Sequence, residues 1–306
     1  MDELIRAGLL ASEKRLHSSL LYDDLGSTLF EAITHLAEYE VARADTALLH
    51  AHRGEALSML AGPVEIVELG PGHGRKARLL IEGLGTLQPR THFVAVDVSA
   101  SALAACQRHV EQLANVDVST VEATFIEGLC RAPRRAARRL VAFLGSNLSN
   151  FDRRDSLQFL RDVRNTLLPG DTLLLSADLE KPAWRLLPAY DDALGVTAAF
   201  NRNLLQRLDR EYGANFELSG FAHEVRWNAP HRRIEMHLRS LRKQRVIVPR
   251  LEIEIDFAED ETIWTESSHR FSIDELYAWG AEARLECTKT WVDRDWPLAL
   301  VLFTAI

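Results

Sequence analysis

The chain has 306 residues, of which 47% are hydrophobic and 26% are charged, a composition typical of a globular protein with a full hydrophobic core. Its formal net charge is −8, which argues against nucleic-acid binding as the main function, because affinity for phosphate backbones depends largely on cations. The three cysteines, Cys106, Cys130 and Cys287, are far apart in the sequence and form no CxxC pair, which argues against a disulfide framework or a zinc site.

The N-terminus begins Met-Asp-Glu and carries charges throughout its first segment, which is unlike a secretory signal peptide. No apolar run approaches the ~20 residues that span a bilayer. The eleven histidines include no HExxH or comparable cluster. We therefore expect a cytoplasmic protein that binds neither membrane nor nucleic acid and holds no metal. A monomer is the default expectation for its oligomeric state.

Residues 1–60 are expected to be helical, because apolar residues recur at helical spacing between residues 29 and 36 and again near residue 48. They precede the first predicted strand, so we expect a cap outside the sheet. Tyr22 and Tyr39 lie in this segment. On sequence pattern alone, both are expected to pack one ring edge into the core with the hydroxyl at the surface.

The run Val64–Leu69 predicts a buried strand, and Arg75–Leu84 predicts an amphipathic helix. Between them, Gly70, Gly72 and Gly74 let the backbone turn sharply and approach a ligand closely. Their E-x-G-x-G-x-G spacing differs from the G-x-G-x-x-G fingerprint of dinucleotide-binding proteins. It resembles the first motif of class I S-adenosylmethionine methyltransferases, which favours methyl transfer over hydride transfer. A tight turn without a ligand is the alternative.

Strands and helices alternate from residue 61 to residue 180, the pattern of a doubly wound parallel sheet. The further predicted elements are strands at 92–97, 116–121, 140–144 and 172–177 and helices at 100–113 and 153–167. Asp97 ends the second strand, where an acid can accept hydrogen bonds from ribose hydroxyls. Ligands bind beyond the carboxyl ends of such strands. One crevice is therefore expected to contain Gly70, Asp97, Thr124–Phe125 and the segment Gly145–Asn150.

Residues 181–270 break this alternation and predict an inserted α+β unit. The predicted elements are helices at 185–195 and 198–212 and strands at 224–228, 233–241, 244–251 and 253–257. A helix at 272–283 and β runs at 285–292 and 298–304 follow, and a closing antiparallel pair is typical of class I methyltransferases. The predicted domains are a cofactor-binding domain, 61–180 plus 271–306, and a cap with the inserted substrate-binding unit, 1–60 plus 181–270.

Five arginines recur at helical spacing ahead of the strand at 140–144, and they are the one basic feature of this acidic chain. They are Arg131, Arg134, Arg135, Arg138 and Arg139. Such a stripe could indicate an RNA methyltransferase. A solvated helix face that leads into the next strand is the preferred interpretation.

Several strings outside the glycine turn are similar to one family, the histidine-specific Nα-methyltransferases of ergothioneine biosynthesis. The matching strings are LYDDLGSTLFE at 21–31, FLGS at 143–146, AYDDALGVTAAFNRN at 189–203, RIEM at 233–236 and TESS at 265–268. The likeness runs from about residue 20 to the C-terminus. The string at 189–203 is the most specific, since it lies in the insertion, where an unrelated methyltransferase has no reason to match.

The resemblance implies an amino-acid site. Tyr39, Asn150 and Tyr190 fall on the positions that hold the carboxylate and α-amine, and Tyr39 and Asn150 are the pair expected to orient the amine for catalysis. Tyr22 and Met236 fall on residues that line the pocket. The imidazole is implied to be held by Glu266 and Ser268. A carboxylate and a hydroxyl can serve the two ring nitrogens of histidine. Without the resemblance, Glu266 would be interpreted as a capping or surface residue and Met236 as a core residue.

The resemblance also implies S-adenosyl-L-methionine as the cofactor. The positions that match its binding residues are Gly70, Gly72, Lys76, Asp97, Thr124, Phe125 and Gly145. The sequence departs from the family at Thr124, where an aspartate is usual, at Glu40, where a tyrosine is common, and at Asn147, where a threonine is common. Pro71–Lys76 also differs from the usual continuation of the glycine turn.

We therefore expect successive methylation of L-histidine at its α-amine to trimethylhistidine, or hercynine, by a class I methyltransferase. Two alternatives remain open. One is an N-methyltransferase for a different small amine, such as tryptophan. The other is a nucleoside-binding protein without turnover, which the complete set of matched site residues disfavours.

Overall fold

The computed structural model describes all 306 residues. Its α-helices, in chain order, are α1 (Asp2–Leu10), α2 (Asp24–Ile33), α3 (Glu40–Ser58), α4 (Arg75–Leu84), α5 (Ala100–Val110), α6 (Phe125–Arg131), α7 (Arg153–Thr166), α8 (Ala183–Leu186), α9 (Val196–Tyr212) and α10 (Ile273–Glu282). None of them combines the length and the apolar character that crossing a membrane requires.

The β-strands, in the same order, are β1 (Lys14–Arg15), β2 (Val64–Leu69), β3 (Thr91–Asp97), β4 (Val116–Glu122), β5 (Arg138–Phe143), β6 (Thr172–Asp178), β7 (Phe221–Asn228), β8 (Arg233–Ser240), β9 (Gln244–Val248), β10 (Ile253–Phe257), β11 (Thr262–His269), β12 (Leu285–Asp293) and β13 (Leu298–Ala305). The chain divides into two compact units. The cap unit is Met1–Tyr39 with Lys181–His269, and the sheet unit is Glu40–Glu180 with Arg270–Ile306.

The sheet unit begins earlier in the chain than expected, because α3 belongs to it and not to the cap. Trp291 of β12 donates its Nε1–H to Oε2 of Glu55, 2.7 Å away. Lys76 of α4 donates to Oδ2 of Asp45, also at 2.7 Å. Polar contacts at two places along α3 thus hold this helix on the sheet unit.

The sheet unit contains a seven-stranded sheet in the order β12-β13-β6-β5-β2-β3-β4. The strands from β6 to β4 pair in parallel. β13 is antiparallel to both β6 and β12. The predicted doubly wound sheet and its closing antiparallel pair are therefore confirmed.

β2 lies at the centre of this sheet, and each of its six residues is buried. Val67 pairs with Val94 of β3 on one side and with Val141 of β5 on the other. Burial of successive residues means that both faces of the strand are covered, as the largely apolar run Val64–Leu69 predicted. The carboxyl end of β2 consequently lies between those of β3 and β5, where the loops of a ligand site meet.

The arginine stripe is not a helix face, so that prediction was wrong. Only Arg131 is helical, and Arg138 and Arg139 lie in β5. The Arg139 side chain is buried and its Nε lies 2.7 Å from Oε1 of Glu65. Arg139, and Arg134 through its pair with Asp171, therefore serve the fold, which weakens the RNA-binding interpretation.

The cap unit contains a four-stranded sheet in the order β1-β11-β8-β7 and the separate hairpin β9–β10. The predicted strands at 224–228, 233–241 and 253–257 are confirmed, but the strand Thr262–His269 was not predicted. The predicted helix at 185–195 is wrong, because the chain forms only the short α8 and one 3-10 turn there. The Asp192 carboxylate accepts hydrogen bonds from the backbone N–H groups of Val196 and Thr197 and thereby caps the N-terminus of α9 as a separate helix.

Candidate active site

The loop between β2 and α4 is tightly packed at Gly70. Gly70 has a φ of 72°, in the region that favours glycine. A Cβ at this position would lie 2.9 Å from Nδ2 of Asn147 and 3.4 Å from the ring of Phe125. The chain can therefore pass between these two side chains only because residue 70 has no side chain.

Asp97 ends β3 beside the same loop. Its carboxylate accepts hydrogen bonds from the backbone N–H groups of Ser99, Val98 and Gly72. Burial raises the pKa of Asp97, and these three bonds act in the opposite direction. The predicted ribose-binding acid and the glycine loop are thus joined directly.

The start of α6 lies close to the loop as well. Thr124 is the residue before the first turn of this helix, and its side chain makes no capping hydrogen bond. The ring of Phe125 packs edge-on against Phe143, with 5.1 Å between the centroids. Because the position of a Gly70 Cβ is in contact with Phe125, the Thr124–Phe125 pair, which the resemblance implies to bind the cofactor, borders the glycine loop.

An ion pair with one fully buried member, Asp45, lies at the first turn of α4, directly after the loop. Oδ2 of Asp45 accepts hydrogen bonds from Nζ of Lys76 at 2.7 Å and from the backbone N–H of Gly145 at 2.8 Å. The Asp45 side chain is fully buried, whereas 19% of the Lys76 side chain is exposed. Asp45 thereby joins the first turn of α4 to the loop that follows β5.

Glu68 is a second acid at this place. It is fully buried, and neither carboxylate oxygen has a hydrogen-bond partner. Burial raises the pKa of Glu68 to about 7, while the charge of Lys76 lowers it and that of Asp45 raises it. Near neutral pH, both the protonated and the charged form of Glu68 are therefore populated. The positive charge of Lys76 favours the charged form.

Asn150 ends a short 3-10 helix, Asn147–Asn150, that follows β5. This turn is entered through Ser146, which has a φ of 57°. Oγ of Ser146 lies 2.7 Å from Oγ of Ser149 and accepts the backbone N–H of Asp178 at 2.8 Å. The turn that carries Asn150 is thus fixed to the end of β6.

Tyrosine side chains gather in the cap unit. The Tyr190 hydroxyl donates to Oγ of Ser268 at 2.6 Å, and both residues are buried. The ring of Tyr39 lies edge-on to that of Tyr190, with 6.3 Å between the centroids. Tyr39 and Tyr190, which are predicted to hold the carboxylate and α-amine of the substrate, are therefore neighbours. Tyr190 also contacts Ser268, which is predicted to hold the imidazole.

Glu266 lies on β11, opposite Met236 of β8. The Tyr22 hydroxyl is 3.5 Å from its Oε1, the long limit of a hydrogen bond. Burial raises the pKa of Glu266 to about 7, and the hydroxyl of Tyr22 opposes this shift. A carboxyl group in such a place gains from any ligand that donates a hydrogen bond to its charged form.

The structure therefore brings the predicted residues together in two groups, one in each unit. The group in the cap unit is Tyr22, Tyr39, Tyr190, Met236, Glu266 and Ser268. The group in the sheet unit is Gly70, Gly72, Lys76, Asp97, Thr124, Phe125 and Gly145, with Asn150 on the same loop as Gly145. Asp45 was missed by the sequence analysis, because no motif or spacing relates a polar residue in α3 to the glycine turn.

Comparison with known proteins agrees with these features. The family model of histidine-specific, SAM-dependent methyltransferases matches residues 1–305. The histidine N-alpha-methyltransferase of Mycolicibacterium smegmatis is 40% identical over 290 residues, which are 94% of this chain and 90% of that protein. Ergothioneine biosynthesis protein 1 of Neurospora crassa is 30% identical over 210 residues, which are 68% of this chain and 24% of that longer protein.

Among solved structures, a S-adenosylmethionine-dependent methyltransferase from Clostridium acetobutylicum superposes with a TM-score of 0.50. It is 12% identical, and the match covers 90% of this chain and 98% of that one. This likeness, together with the strand order, confirms the predicted class I fold. The family model spans nearly the whole chain and the fold is the one that the glycine turn predicted, so the protein belongs to the family of histidine-specific, SAM-dependent methyltransferases.

Proposed function

We propose that the protein transfers methyl groups from S-adenosylmethionine to the α-amine of L-histidine and yields the trimethylated betaine hercynine, a step of ergothioneine biosynthesis. The names of the Mycolicibacterium and Neurospora relatives support both the substrate and the pathway. The observation that carries the proposal is the buried pair of Glu266 and Ser268. Each is within reach of a tyrosine hydroxyl.

This pair suits an imidazole ring. A carboxylate accepts the N–H of one ring nitrogen, and a hydroxyl can donate to the other or accept from it. Both side chains are buried, at 9% and 7% exposure, and a ligand side chain that made no hydrogen bond would leave the Glu266 carboxyl group with only the long contact from Tyr22, at a cost in affinity. Met236 is 2% exposed and offers an apolar wall opposite Glu266.

S-adenosylmethionine is the cofactor, and the residues of the sheet unit fit it. Asp97 can accept hydrogen bonds from the ribose hydroxyls, and Phe125 can pack against the adenine. β2 lies between β3, which ends in Asp97, and β5, which leads to Gly145. We therefore propose that Lys76, on the Gly145 side, binds the carboxylate of the methionine portion.

The methyl group of the bound cofactor is electrophilic, because it is attached to a positively charged sulfur. The amine must arrive without its extra proton, since an ammonium group has no lone pair. The protein's task is mainly to position the two reactants, which can lower a barrier by ~7–11 kcal/mol. From the resemblance we propose that Tyr39 and Asn150 orient the amine, with no dedicated strong base.

Mass spectrometry of the products tests the function. The protein is incubated with S-adenosylmethionine and an equimolar mixture of histidine and tryptophan. We expect methylated histidine to accumulate up to the trimethyl form while tryptophan stays unchanged. Methylation of tryptophan alone would keep the enzyme class and overturn the substrate. Calorimetric binding of each amino acid with S-adenosylhomocysteine present gives a second, independent answer.

Gly70→Ala tests the cofactor loop. We expect it to weaken S-adenosylhomocysteine binding about tenfold, because the new Cβ displaces Asn147 or Phe125 and strains a left-handed residue. Gly62→Ala is the matched control, since Gly62 has a φ of 80° and nothing within 4 Å of a Cβ. The control shares the left-handed strain without the clash, so it is expected to lose less stability than Gly70→Ala and to keep its cofactor affinity. Equal losses of affinity in both variants would refute the close approach at Gly70.

Two further expectations stay proposals. We propose a monomer, which light scattering on the purified protein tests directly, and a cytoplasmic location, which fractionation of the source cells tests. The free state of Cys106, Cys130 and Cys287 fits a reducing compartment.

A further inference from the structure

One buried amide in the cap unit connects three strands. Asn201, on α9, is fully buried. Its Oδ1 accepts from the hydroxyl of Thr265 on β11 at 2.7 Å, and this hydroxyl also lies 3.0 Å from the carbonyl oxygen of Met236 on β8. Its Nδ2 lies 3.0 Å from the carbonyl oxygen of His237 on β8 and 2.9 Å from Nδ1 of His223 on β7. Because a carbonyl oxygen can only accept, the amide nitrogen must face His237, and this fixes the orientation of the whole group.

The orientation of Asn201 determines the tautomer of His223. Since Nδ1 accepts from the amide, the proton of a neutral ring is on Nε2, which donates to the carbonyl oxygen of Tyr190 at 2.8 Å. Burial lowers the pKa of His223, and Arg202 acts in the same direction, while the bond to Tyr190 and the charges of Asp191 and Asp192 oppose the shift. These groups leave a neutral ring with one defined donor.

At the other end, Thr265 lies at an irregularity of β11. Trp264 pairs with His237, but Glu266 pairs with Met236, so one extra residue stands between two consecutive partners. Such a bulge reverses the alternation of side chains beyond it. Without it, Glu266 would be on the same face as Trp264. The bulge at Thr265 is therefore the reason that the Glu266 carboxylate shares a face with Met236.

We infer that Thr265, Asn201 and His223 form a positioning relay for the amino-acid substrate. The relay holds the bulge that directs Glu266 at one end and the backbone of Tyr190 at the other. Tyr190 in turn donates to Ser268. The relay thereby sets the spacing between Glu266 and Ser268, which are proposed to bind the imidazole, and Tyr190, which is proposed to bind the carboxylate and α-amine. This inference rests on the proposed function for the identity of the substrate.

Paired variants at Thr265 test one end of the relay. Thr265→Val keeps the volume and removes the hydroxyl, whereas Thr265→Ser keeps the hydroxyl. We expect Thr265→Val to raise the KM for histidine about tenfold, with a smaller change in kcat, because a misdirected carboxylate mainly weakens binding. Thr265→Ser is expected to stay near the wild type. Affinity for S-adenosylhomocysteine is expected to be the same in all three proteins.

Paired variants at His223 test the other end and remain informative if Thr265→Val fails to fold. An asparagine amide can replace Nδ1 as the acceptor but is too short to reach Tyr190, and a glutamine amide can replace the Nε2 donor. His223→Asn keeps the bond to Asn201 and loses the one to Tyr190, and His223→Gln does the reverse, so we expect both to raise the histidine KM because the relay needs both bonds. The relay is refuted if Thr265→Val and Thr265→Ser behave alike, if either His223 variant keeps the wild-type KM, or if the affinity for S-adenosylhomocysteine falls in parallel with that for histidine.

Amide hydrogen exchange of residues 262–269 in the substrate-free protein separates the relay from the proposed function. Faster exchange in Thr265→Val than in Thr265→Ser supports the relay whatever the substrate proves to be. Unchanged exchange refutes it. If the wild type methylates a different amino acid, the proposed function fails, and the KM comparison is made with that amino acid.

Discussion

Glu266→Gln is expected to weaken the binding of histidine on the order of 30- to 100-fold, the loss that follows when a charge-assisted hydrogen bond in a buried site is replaced by a neutral one. Glutamine has nearly the same shape as glutamate, so the pocket wall is kept. Titration calorimetry in the presence of S-adenosylhomocysteine measures the effect. An unchanged affinity would remove Glu266 from the imidazole site.

The same substitution should make the empty protein more stable at high pH, which separates lost binding from misfolding. The native carboxyl group has a pKa of about 7, raised by burial from 4.5. Between these values the native state binds more protons than the unfolded chain, so the free energy of unfolding falls as the pH rises through this window. Glutamine removes that penalty, which is on the order of 3 kcal/mol at pH 8.

Denaturant unfolding at pH 4 and at pH 8 checks this prediction. The variant and the wild type should be equally stable at pH 4, where both side chains are neutral, and the variant should be the more stable at pH 8. Glu261→Gln is the control within the cap unit, because Glu261 pairs with Lys14 instead of lying beside a tyrosine. It should leave histidine affinity unchanged. A Glu266→Gln protein less stable than the wild type at pH 8 would show that the native carboxylate is charged and partnered.

The sheet unit was readable from the sequence because its signals are local. The largely apolar run Val64–Leu69 predicted a strand that is covered on both faces, and the helix predicted after the glycine turn has the same bounds as α4. The strand β11 could not be predicted from such local signals. The bulge at Thr265 breaks the alternation by which a strand is recognised, and the polar run from Thr265 to Ser268 hides a buried segment.

The candidate site was only partly readable, for a related reason. Glu266 and Ser268 were identified through the resemblance, since on pattern alone a glutamate is rarely buried. The roles of Asp45 and Asn201 depend on contacts with residues far away in the chain, and no periodicity encodes such contacts. Pattern predicts which face of an element is buried, whereas a polar group's partner is set by the tertiary fold.

Lys76→Met is expected to weaken S-adenosylhomocysteine binding more than about 100-fold and to lower the free energy of unfolding by about 3–5 kcal/mol, the usual loss when one partner of a buried ion pair is removed. The second effect arises because Asp45 is fully buried and would lose the cation that it pairs with. Glu68 adds little to the loss, because without Lys76 its pKa rises further and the group becomes neutral.

A second substitution separates the two effects. In the double variant Asp45→Asn with Lys76→Met no buried charge is left unpaired, so we expect most of the stability to return. The affinity for S-adenosylhomocysteine should not return, because the cation for the methionine carboxylate is still missing. If the double variant recovered both the stability and the affinity for S-adenosylhomocysteine, Lys76 would contribute only to the stability of the fold. Arg134→Met is the matched control, since Arg134 pairs with the fully buried Asp171. It should cost stability and spare the cofactor.

Binding of methylthioadenosine shows which part of the cofactor Lys76 contacts, because this ligand keeps the adenosine and lacks the amino-acid portion. Asp97, which is proposed to hold the ribose, ends β3 on one side of β2, whereas Lys76 is next to Gly145, which follows β5 on the other side. Lys76→Met should therefore bind methylthioadenosine as the wild type does while it loses S-adenosylhomocysteine. If both ligands are lost equally, the lysine acts on the glycine loop as a whole, and the carboxylate of the cofactor must be bound elsewhere.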